Sequence, residues 1–168
     1  MYAIGDRVVY GVHGVCTVVG IEQRRVDKKT VEYFALESLD RPGSRFYVPT
    51  HNEVALSKMR PLLSPERLQE LLISSPVDAT VWVEHEGLRK TRYKELLAGG
   101  DRSALLSMLV CLYRYKEDLL SQGRKFHMSD ENFLWEAEKL FISEISYVLN
   151  MNHGQAGEYL RQCICVSR

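Results

Sequence analysis

The stretch that decides the N-terminal fold is IGDRVVYGVHGV, residues 4–15. It holds a β-rich run at residues 7–10, which ends in a turn with a glycine on each side, Gly11 and Gly14. A second β-rich run, VCTVVGI, follows directly at residues 15–21. Short strand-like runs separated by glycine turns predict a β-sheet unit at this end of the chain.

Two further strand-like runs continue the pattern, EYFALE at residues 32–37 and RFYVP at residues 45–49. The pieces between them, residues 26–30 and 39–44, are rich in turn-forming residues. Several short strands at this spacing predict a small β-barrel or sandwich. A barrel is favoured because closing the sheet removes its exposed edges.

The apolar spacing becomes helical after about residue 62. Ser64-Pro65-Glu66 is typical of a helix start, since it offers an N-cap, a proline at the first helical position and an acid in the first turn. Further helices are predicted over residues 80–98, from Asp101 to Gly123, from Ser129 and from Asn152. We therefore expect an α+β protein, with a small β-barrel over residues 1–62 and a compact helical domain over residues 63–168.

Charge and hydropathy restrict how the protein could bind DNA and where it is expected in the cell. The chain has 22 basic and 22 acidic residues, so its formal net charge is zero. Any contact with DNA must then be local, weak or helped by a partner, because binding driven by bulk attraction to phosphate needs a basic protein. No apolar run reaches the roughly 18 residues that span a membrane, and no secretory leader is visible, so we expect a cytoplasmic protein.

Motifs for catalysis are missing from the sequence. The Gly11–Gly14 turn lacks the spacing of a phosphate-binding loop, and there is no His-Glu-x-x-His metal motif or Gly-x-Ser-x-Gly nucleophile motif. His13 lies in a predicted turn, where a structural role is favoured over a catalytic one. We expect no cofactor, no metal site and no enzyme activity.

Three sequence motifs are similar to motifs of a known protein family. The N-terminal string places Gly5-Asp6, Val8-Val9-Tyr10 and His13-Gly14 in register with strand and turn, Tyr47-Val48-Pro49 ends the fourth run, and Arg92 precedes Gly100-Asp101 in the helical half. Together they resemble the CarD family of bacterial transcription regulators. The first string is also shared with the polymerase-interacting module of the transcription-repair coupling factor.

The resemblance implies a fold, two partners and a role. The fold is a Tudor-like five-stranded barrel followed by a helical domain. The barrel would bind the β-subunit lobe of RNA polymerase, and the helical domain would lie on promoter DNA at the upstream edge of the transcription bubble. Such a protein modulates open-complex stability without catalysis, and it is nucleoid-associated through the polymerase.

Family barrels pair an edge strand with a strand of the polymerase lobe. The resemblance places this contact on Arg24, Arg25 and Val26, with a second patch on Tyr47. Related proteins have a basic residue at the Tyr47 position. We expect Arg45 to take the place of that residue, because residues two apart in a strand share a face. The alternative is that the two adjacent arginines are only the solvated end of a hairpin.

The DNA contact departs from the family in one place. Some family members insert a tryptophan wedge at the bubble edge, and that position falls on Glu86, whose carboxylate repels phosphate. Trp82 lies four residues earlier, one turn away if the helix is continuous. It is either a shifted wedge or a core residue. Trp135, the other tryptophan, is expected in the core or on its flank.

A basic run on the second predicted helix is the other DNA candidate. It consists of Arg89, Lys90, Arg92 and Lys94. Such a run binds phosphates without reading sequence; the alternative is an ordinary charged face. Two other functions remain open: a protein adaptor on RNA polymerase that lacks the DNA wedge, and a nucleic-acid-binding module that works without polymerase.

Overall fold

The computed structural model describes residues 2–74 and 82–166, and it divides into two compact units, Met1–Leu62 and Leu63–Arg168. The first unit is built on an antiparallel sheet and the second on helices, so the predicted α+β class is confirmed. Residues 80 and 81, the first two of the helix predicted over residues 80–98, lie outside the described residues.

The first unit contains five strands and one short helix. Their bounds are β1 Arg7–Tyr10, β2 Val15–Val26, β3 Lys29–Ser38, β4 Arg45–Pro49, α1 Glu53–Leu56 and β5 Met59–Pro61. The strand order is β4-β3-β2-β1-β5, with antiparallel neighbours throughout. Within the described residues the two end strands do not pair with each other, so the sheet is open where closure was expected.

The β2–β3 hairpin is longer than the sequence pattern predicts. The pattern indicates a loop over residues 26–30, yet β2 and β3 stay paired as far as Val26 and Lys29. Only Asp27 and Lys28 form the loop, with φ of 49° and 65°. A two-residue loop with both residues at positive φ has the geometry of a type I′ turn, whose twist matches that of the flanking strands.

The inner face of this sheet holds the core of the first unit. Its members are apolar residues from all the strands: Val8, Cys16, Val18, Phe34, Leu36, Val48 and Met59. Alternation along each strand sends these side chains to one face and their sequence neighbours to the other, where Val9, Val15 and Ala35 are also buried. Burial raises the pKa of the Cys16 thiol to about 12, so this cysteine stays protonated and behaves as a small apolar residue.

The second unit contains five helices. Their bounds are α2 Pro65–Ser74, α3 Glu86–Gly99, α4 Arg102–Ser121, α5 Met128–Val148 and α6 His153–Val166. Their apolar faces share one core, in which Tyr93, Leu106, Leu109 and Ile145 are fully buried. No helix in the described parts of the chain is long and apolar enough to cross a membrane.

Two predicted helix starts are confirmed by their caps. The Asp101 carboxylate accepts hydrogen bonds from the backbone N–H groups of Ser103 at 2.9 Å and Ala104 at 3.2 Å. The side-chain oxygen of Asn152 accepts from the Gln155 N–H at 2.8 Å. Such caps satisfy N–H groups that the helix itself leaves unpaired.

The predicted helix over residues 80–98 is wrong at its start. The helix begins at Glu86, and the ring of His85 caps it by accepting from the Leu88 N–H at 3.4 Å. Trp82 therefore lies before α3 in an irregular segment, and it does not share a helix face with Glu86. The apolar residues that suggested a longer helix belong to this preceding segment.

Candidate functional site

The outer face of the sheet collects most of the residues predicted to bind polymerase. Residues paired directly across antiparallel strands point to the same face, and Leu36, a core residue, pairs with Val18 and Phe46. Their sequence neighbours therefore point outward. Alternation places Tyr47, Arg45 and, beyond the β2 bulge, Arg24 on this outer face.

Arg24 and Tyr47 are in contact, although they lie on two strands that are not neighbours in the sheet. The guanidinium carbon of Arg24 lies 3.4 Å from the centroid of the Tyr47 ring. Its Nη2 also lies 3.1 Å from the Glu22 carboxylate. A cation over an aromatic face is attracted by the ring quadrupole. The sequence-predicted pair therefore forms one surface element that spans β2, β3 and β4.

Arg45 lies one same-face step from Tyr47 and pairs with Glu37, its cross-strand neighbour, at 3.3 Å. Val26 also points outward and is exposed. Arg25 does not join them, because it follows Arg24 directly in a regular strand and so points to the opposite face. The structure thus separates the two adjacent arginines that the sequence grouped together.

One side of β2 has an open backbone edge. β1 pairs only with Val15, Cys16 and Thr17. A bulge between Val18 and Gly20 follows, and from there on β2 pairs with β3 alone among the described strands. We call residues 20–26 the open edge of β2. An edge with no strand beside it is a template for pairing with another chain.

Arg89 of the predicted basic run is buried. Its side chain is only 4% exposed, and its Nη2 lies 2.8 Å from the carboxylate of Asp130, which is itself fully buried. Nε donates to the other carboxylate oxygen at 2.9 Å, and Nη1 donates to the Val83 carbonyl at 2.8 Å. These contacts engage the guanidinium inside the helical unit, so Arg89 is not placed to hold a phosphate.

The other three basic residues of the run are accessible. Lys90 pairs with Glu86 at 2.6 Å and Arg92 lies 3.9 Å from Glu95, both on the surface of α3. Lys94 is exposed on the same helix. Exposed pairs of this kind contribute little to stability, because water and salt screen them. Lys90 and Lys94, one turn apart, share a face of α3, and Arg92 lies on a different face of the helix. We call these three accessible residues together the basic surface of α3.

Trp82 is half-buried in a stack. Its ring lies 3.6 Å from the ring of Tyr115, centroid to centroid, and the guanidinium carbon of Arg89 lies 4.4 Å from the Trp82 ring centroid. Its indole N–H donates to the Glu84 carboxylate at 3.0 Å. A wedge role would require this ring to leave the stack.

Three features escaped the sequence analysis. Asp130, the partner of Arg89, lies 41 positions away along the chain, and no local pattern signals such a pair. Trp135 is 60% exposed, more than a core or flank position implies, with the Lys139 ammonium 5.2 Å from its ring.

His13 stacks on Phe46, with ring centroids 4.1 Å apart. Its partial burial, together with the charge of Arg41, lowers its pKa.

Possible metal ligands and cysteines are considered within the described residues only. Residues 2–74 and 82–166 contain no group of three or more His, Cys, Asp or Glu side chains that could hold a metal ion. Within the same ranges, Cys16, Cys111 and Cys163 form no disulfide.

Comparison with known proteins bears on the first unit. Residues 2–62 match the family model of the CarD-like/TRCF RID domain, a family of RNA polymerase-interacting domains in transcription-related proteins. No curated protein matches the chain. The match covers the unit that carries the open sheet, and it confirms the resemblance predicted from the N-terminal string. The N-terminal unit, over residues 2–62, is therefore similar to CarD-like/TRCF RID domains, and it is called the RID domain below.

Proposed function

We propose that this chain is a non-catalytic bacterial transcription regulator that binds the β subunit of RNA polymerase and modulates promoter open-complex stability. The observation that carries the proposal is the RID-domain match over residues 2–62. Polymerase binding localises such a protein to the nucleoid in the cytoplasm.

The polymerase contact is assigned to the open edge of β2 and the outer face beside it. A strand of the β-subunit lobe that pairs with residues 20–26 gains main-chain hydrogen bonds. Arg24, held over Tyr47 at 3.4 Å, then presents its charge next to the added strand. Arg45 and Val26 extend the same face, whereas Arg25 contributes from the other side of the strand.

The DNA contact is assigned to Lys90, Arg92 and Lys94 on α3. Their charges suit phosphates, which position a protein without specifying sequence. Zero net charge suits a protein that is delivered by polymerase, because docking raises its effective concentration near the promoter. Upstream-edge promoter DNA is the partner this surface would meet.

A second candidate is an adaptor that binds polymerase and does not touch DNA. Two observations favour it. Glu86, at the position of the family's wedge, carries a negative charge and is paired with Lys90 at 2.6 Å. Trp82, the nearest tryptophan, is stacked on Tyr115.

The polymerase contact is tested by measuring the affinity of the full chain for cognate core polymerase, with Arg24→Glu as the variant. Charge reversal at the centre of the contact is expected to raise the Kd by at least tenfold. Val12→Thr, an exposed turn substitution away from the open edge, is the control. Unchanged affinity of the Arg24→Glu variant would contradict the assignment.

The regulatory role is tested by the lifetime of promoter open complexes formed by that polymerase, with and without the chain. We expect the chain to change the lifetime and Arg24→Glu to abolish this change. A forked promoter fragment, assayed with and without polymerase, separates the two candidates. If the chain adds protection to that given by polymerase alone, and gives none without polymerase, the regulator is supported. If the chain adds no protection in either case, the adaptor is supported.

A further inference from the structure

A buried ion pair connects parts of the helical unit that are distant in the chain. Glu144 of α5 is only 3% exposed, and its carboxylate accepts hydrogen bonds from Arg102, from Nε at 2.8 Å and from Nη2 at 2.7 Å. The same carboxylate accepts a further hydrogen bond from the backbone N–H of Leu63 at 3.1 Å. We call Glu144, Arg102 and Leu63 the Glu144 junction.

Each partner of Glu144 lies at a boundary in the chain. Leu63 is the first residue of the helical unit and directly follows Leu62, where the match to the RID family model ends. Arg102 is the first residue of α4, and it comes two positions after Gly100, which caps the C-terminal end of α3. One carboxylate therefore holds both the entry of the chain into the helical unit and the turn that ends the basic helix.

Stability alone does not explain a carboxylate at this place. Burying a carboxylate has a large desolvation cost, and well-packed apolar side chains of similar volume are often as stable as a buried ion pair. An apolar pair, however, cannot accept a hydrogen bond from a backbone N–H, which needs an acceptor at a defined distance and angle. The carboxylate of Glu144 thus fixes a geometry that apolar packing would leave less well defined.

We propose that Glu144 is a positioning residue for the DNA contact, because it fixes the basic surface of α3 relative to the point where the chain enters the helical unit. This inference rests on the proposed function, since it takes polymerase as the anchor of the RID domain and promoter DNA as the ligand of α3. Delivery by polymerase acts through an effective concentration, which decreases when the connection to the binding surface becomes longer or looser. A loosened junction therefore weakens the DNA contact and leaves the polymerase contact as it is.

The experiment replaces the whole ion pair by apolar residues in the variant Arg102→Leu/Glu144→Leu. This variant leaves no buried charge behind, but it removes the acceptor of the Leu63 N–H. Two affinities of the full chain are measured, one for cognate core polymerase alone and one for a preformed complex of that polymerase with forked promoter DNA. We expect the Kd for polymerase alone to stay within about twofold of wild type and the Kd for the complex to increase about three- to tenfold.

The matched control is Arg67→Leu/Glu70→Leu. It makes the same chemical change at an ion pair of α2 whose side chains are 74% and 66% exposed. Both of its Kd values are expected to equal those of wild type. Urea unfolding followed by tryptophan fluorescence shows whether the helical unit of each variant is folded under the binding conditions.

Glu144→Gln is a second junction variant, and it decides the question if the apolar pair does not fold. Its amide oxygen can still accept from the Leu63 N–H, whereas the ionic partner of Arg102 is lost. We expect the Kd for the complex to increase less than in the apolar variant, with the Kd for polymerase alone unchanged.

A double-mutant cycle distinguishes positioning from a merely structural role. The junction substitutions are combined with Lys90→Ala/Arg92→Ala/Lys94→Ala, which removes the basic surface. If the junction acts through that surface, its substitution should have no further effect on the Kd for the complex in this background. An undiminished effect there would show that Glu144 acts on something else, and the proposal would be overturned.

The remaining outcomes separate this inference from the proposed function. If folded junction variants bind the DNA complex as tightly as wild type does, while loss of the basic surface weakens binding, the proposed function stands and the positioning role of Glu144 is refuted. If the wild-type chain binds the DNA complex no more tightly than it binds polymerase alone, the DNA contact of the proposed function fails, and the positioning proposal fails with it.

Discussion

The guanidinium carbon of Arg24 lies 3.4 Å from the centroid of the Tyr47 ring, across the intervening strand β3. The same arginine is held from the other side by Glu22 at 3.1 Å. A long side chain on an exposed strand normally samples many rotamers, and ordering it on binding has an entropic cost. Here the ring and the carboxylate hold the charge in place before any partner arrives.

Tyr47→Leu should therefore weaken polymerase binding even though the net charge is unchanged. Removing the ring removes the cation–π interaction, which contributes about 0.5–1 kcal/mol at an exposed site. We expect a Kd about two- to fivefold higher, in the range that such an energy gives. The measurement is the affinity for core polymerase.

A double-mutant cycle identifies the cause of that weakening. In an Arg24→Ala background, Tyr47→Leu should have little further effect, because the ring then has no guanidinium to orient. Strictly additive effects of the two substitutions would show that Tyr47 contacts the polymerase by itself.

Arg89 is predicted to stabilise the helical unit and not to bind DNA. Arg89→Leu leaves the fully buried Asp130 carboxylate without its cation, and breaking a buried pair in this way costs about 3–5 kcal/mol. Urea unfolding followed by tryptophan fluorescence measures the destabilisation, since both tryptophans, Trp82 and Trp135, lie in the helical unit.

Arg92→Leu is the control for this measurement. It makes the same chemical change on the same helix, but the Arg92 side chain is 57% exposed and lies 3.9 Å from its carboxylate partner. This substitution should cost under about 1 kcal/mol. Equal destabilisation by the two variants would refute a special role for the buried pair.

His13 should make the stability of the RID domain depend on pH. Its pKa is lowered in the folded state, first by burial against the rings of Tyr10 and Phe46 and then by the charge of Arg41. The unfolded chain then binds a proton more readily than the folded one. Stability is therefore full above the unfolded value near 6.5 and decreases as the pH falls below it, levelling off below the folded pKa.

The test compares urea midpoints for the amide signals of β2 and β3 at pH 7.5 and pH 5.5, values chosen to bracket the unfolded pKa of about 6.5. His13→Phe keeps an aromatic ring on Phe46 and removes the titrating group. The wild-type midpoint should decrease more between these two pH values than that of the variant. Parallel decreases in both proteins would assign the pH dependence to other groups.

Local patterns predicted the elements well, and contacts distant in the chain escaped them. Caps such as Asp101 and Asn152 act on the next few residues, so their sequence signals were sufficient. The sequence pattern did not predict that β2 continues after Ile21, because exposed hairpin strands lack apolar alternation. Arg89 looked like its basic neighbours, since burial with Asp130 depends on tertiary packing that no spacing along α3 reveals.

Removing the basic surface of α3 tests the remaining site. The variant Lys90→Ala/Arg92→Ala/Lys94→Ala should bind a preformed complex of polymerase and forked promoter DNA less tightly than wild type. Affinity for polymerase alone should not change, because these residues lie outside the RID domain. For every phosphate that the variant no longer binds, the slope of log Kd against log salt concentration should decrease by about one unit, since fewer counterions are released.

A second triple variant, Arg124→Ala/Lys125→Ala/Arg161→Ala, removes the same charge from exposed positions elsewhere in the helical unit. It should keep the wild-type slope, because a change in net charge alone does not remove a local contact. If both triple variants keep that slope, α3 does not bind phosphate and the chain acts on polymerase as an adaptor. If only the α3 variant decreases the slope of log Kd against log salt concentration, basic residues of α3 make the DNA contact. Trp82 can then remain stacked on Tyr115.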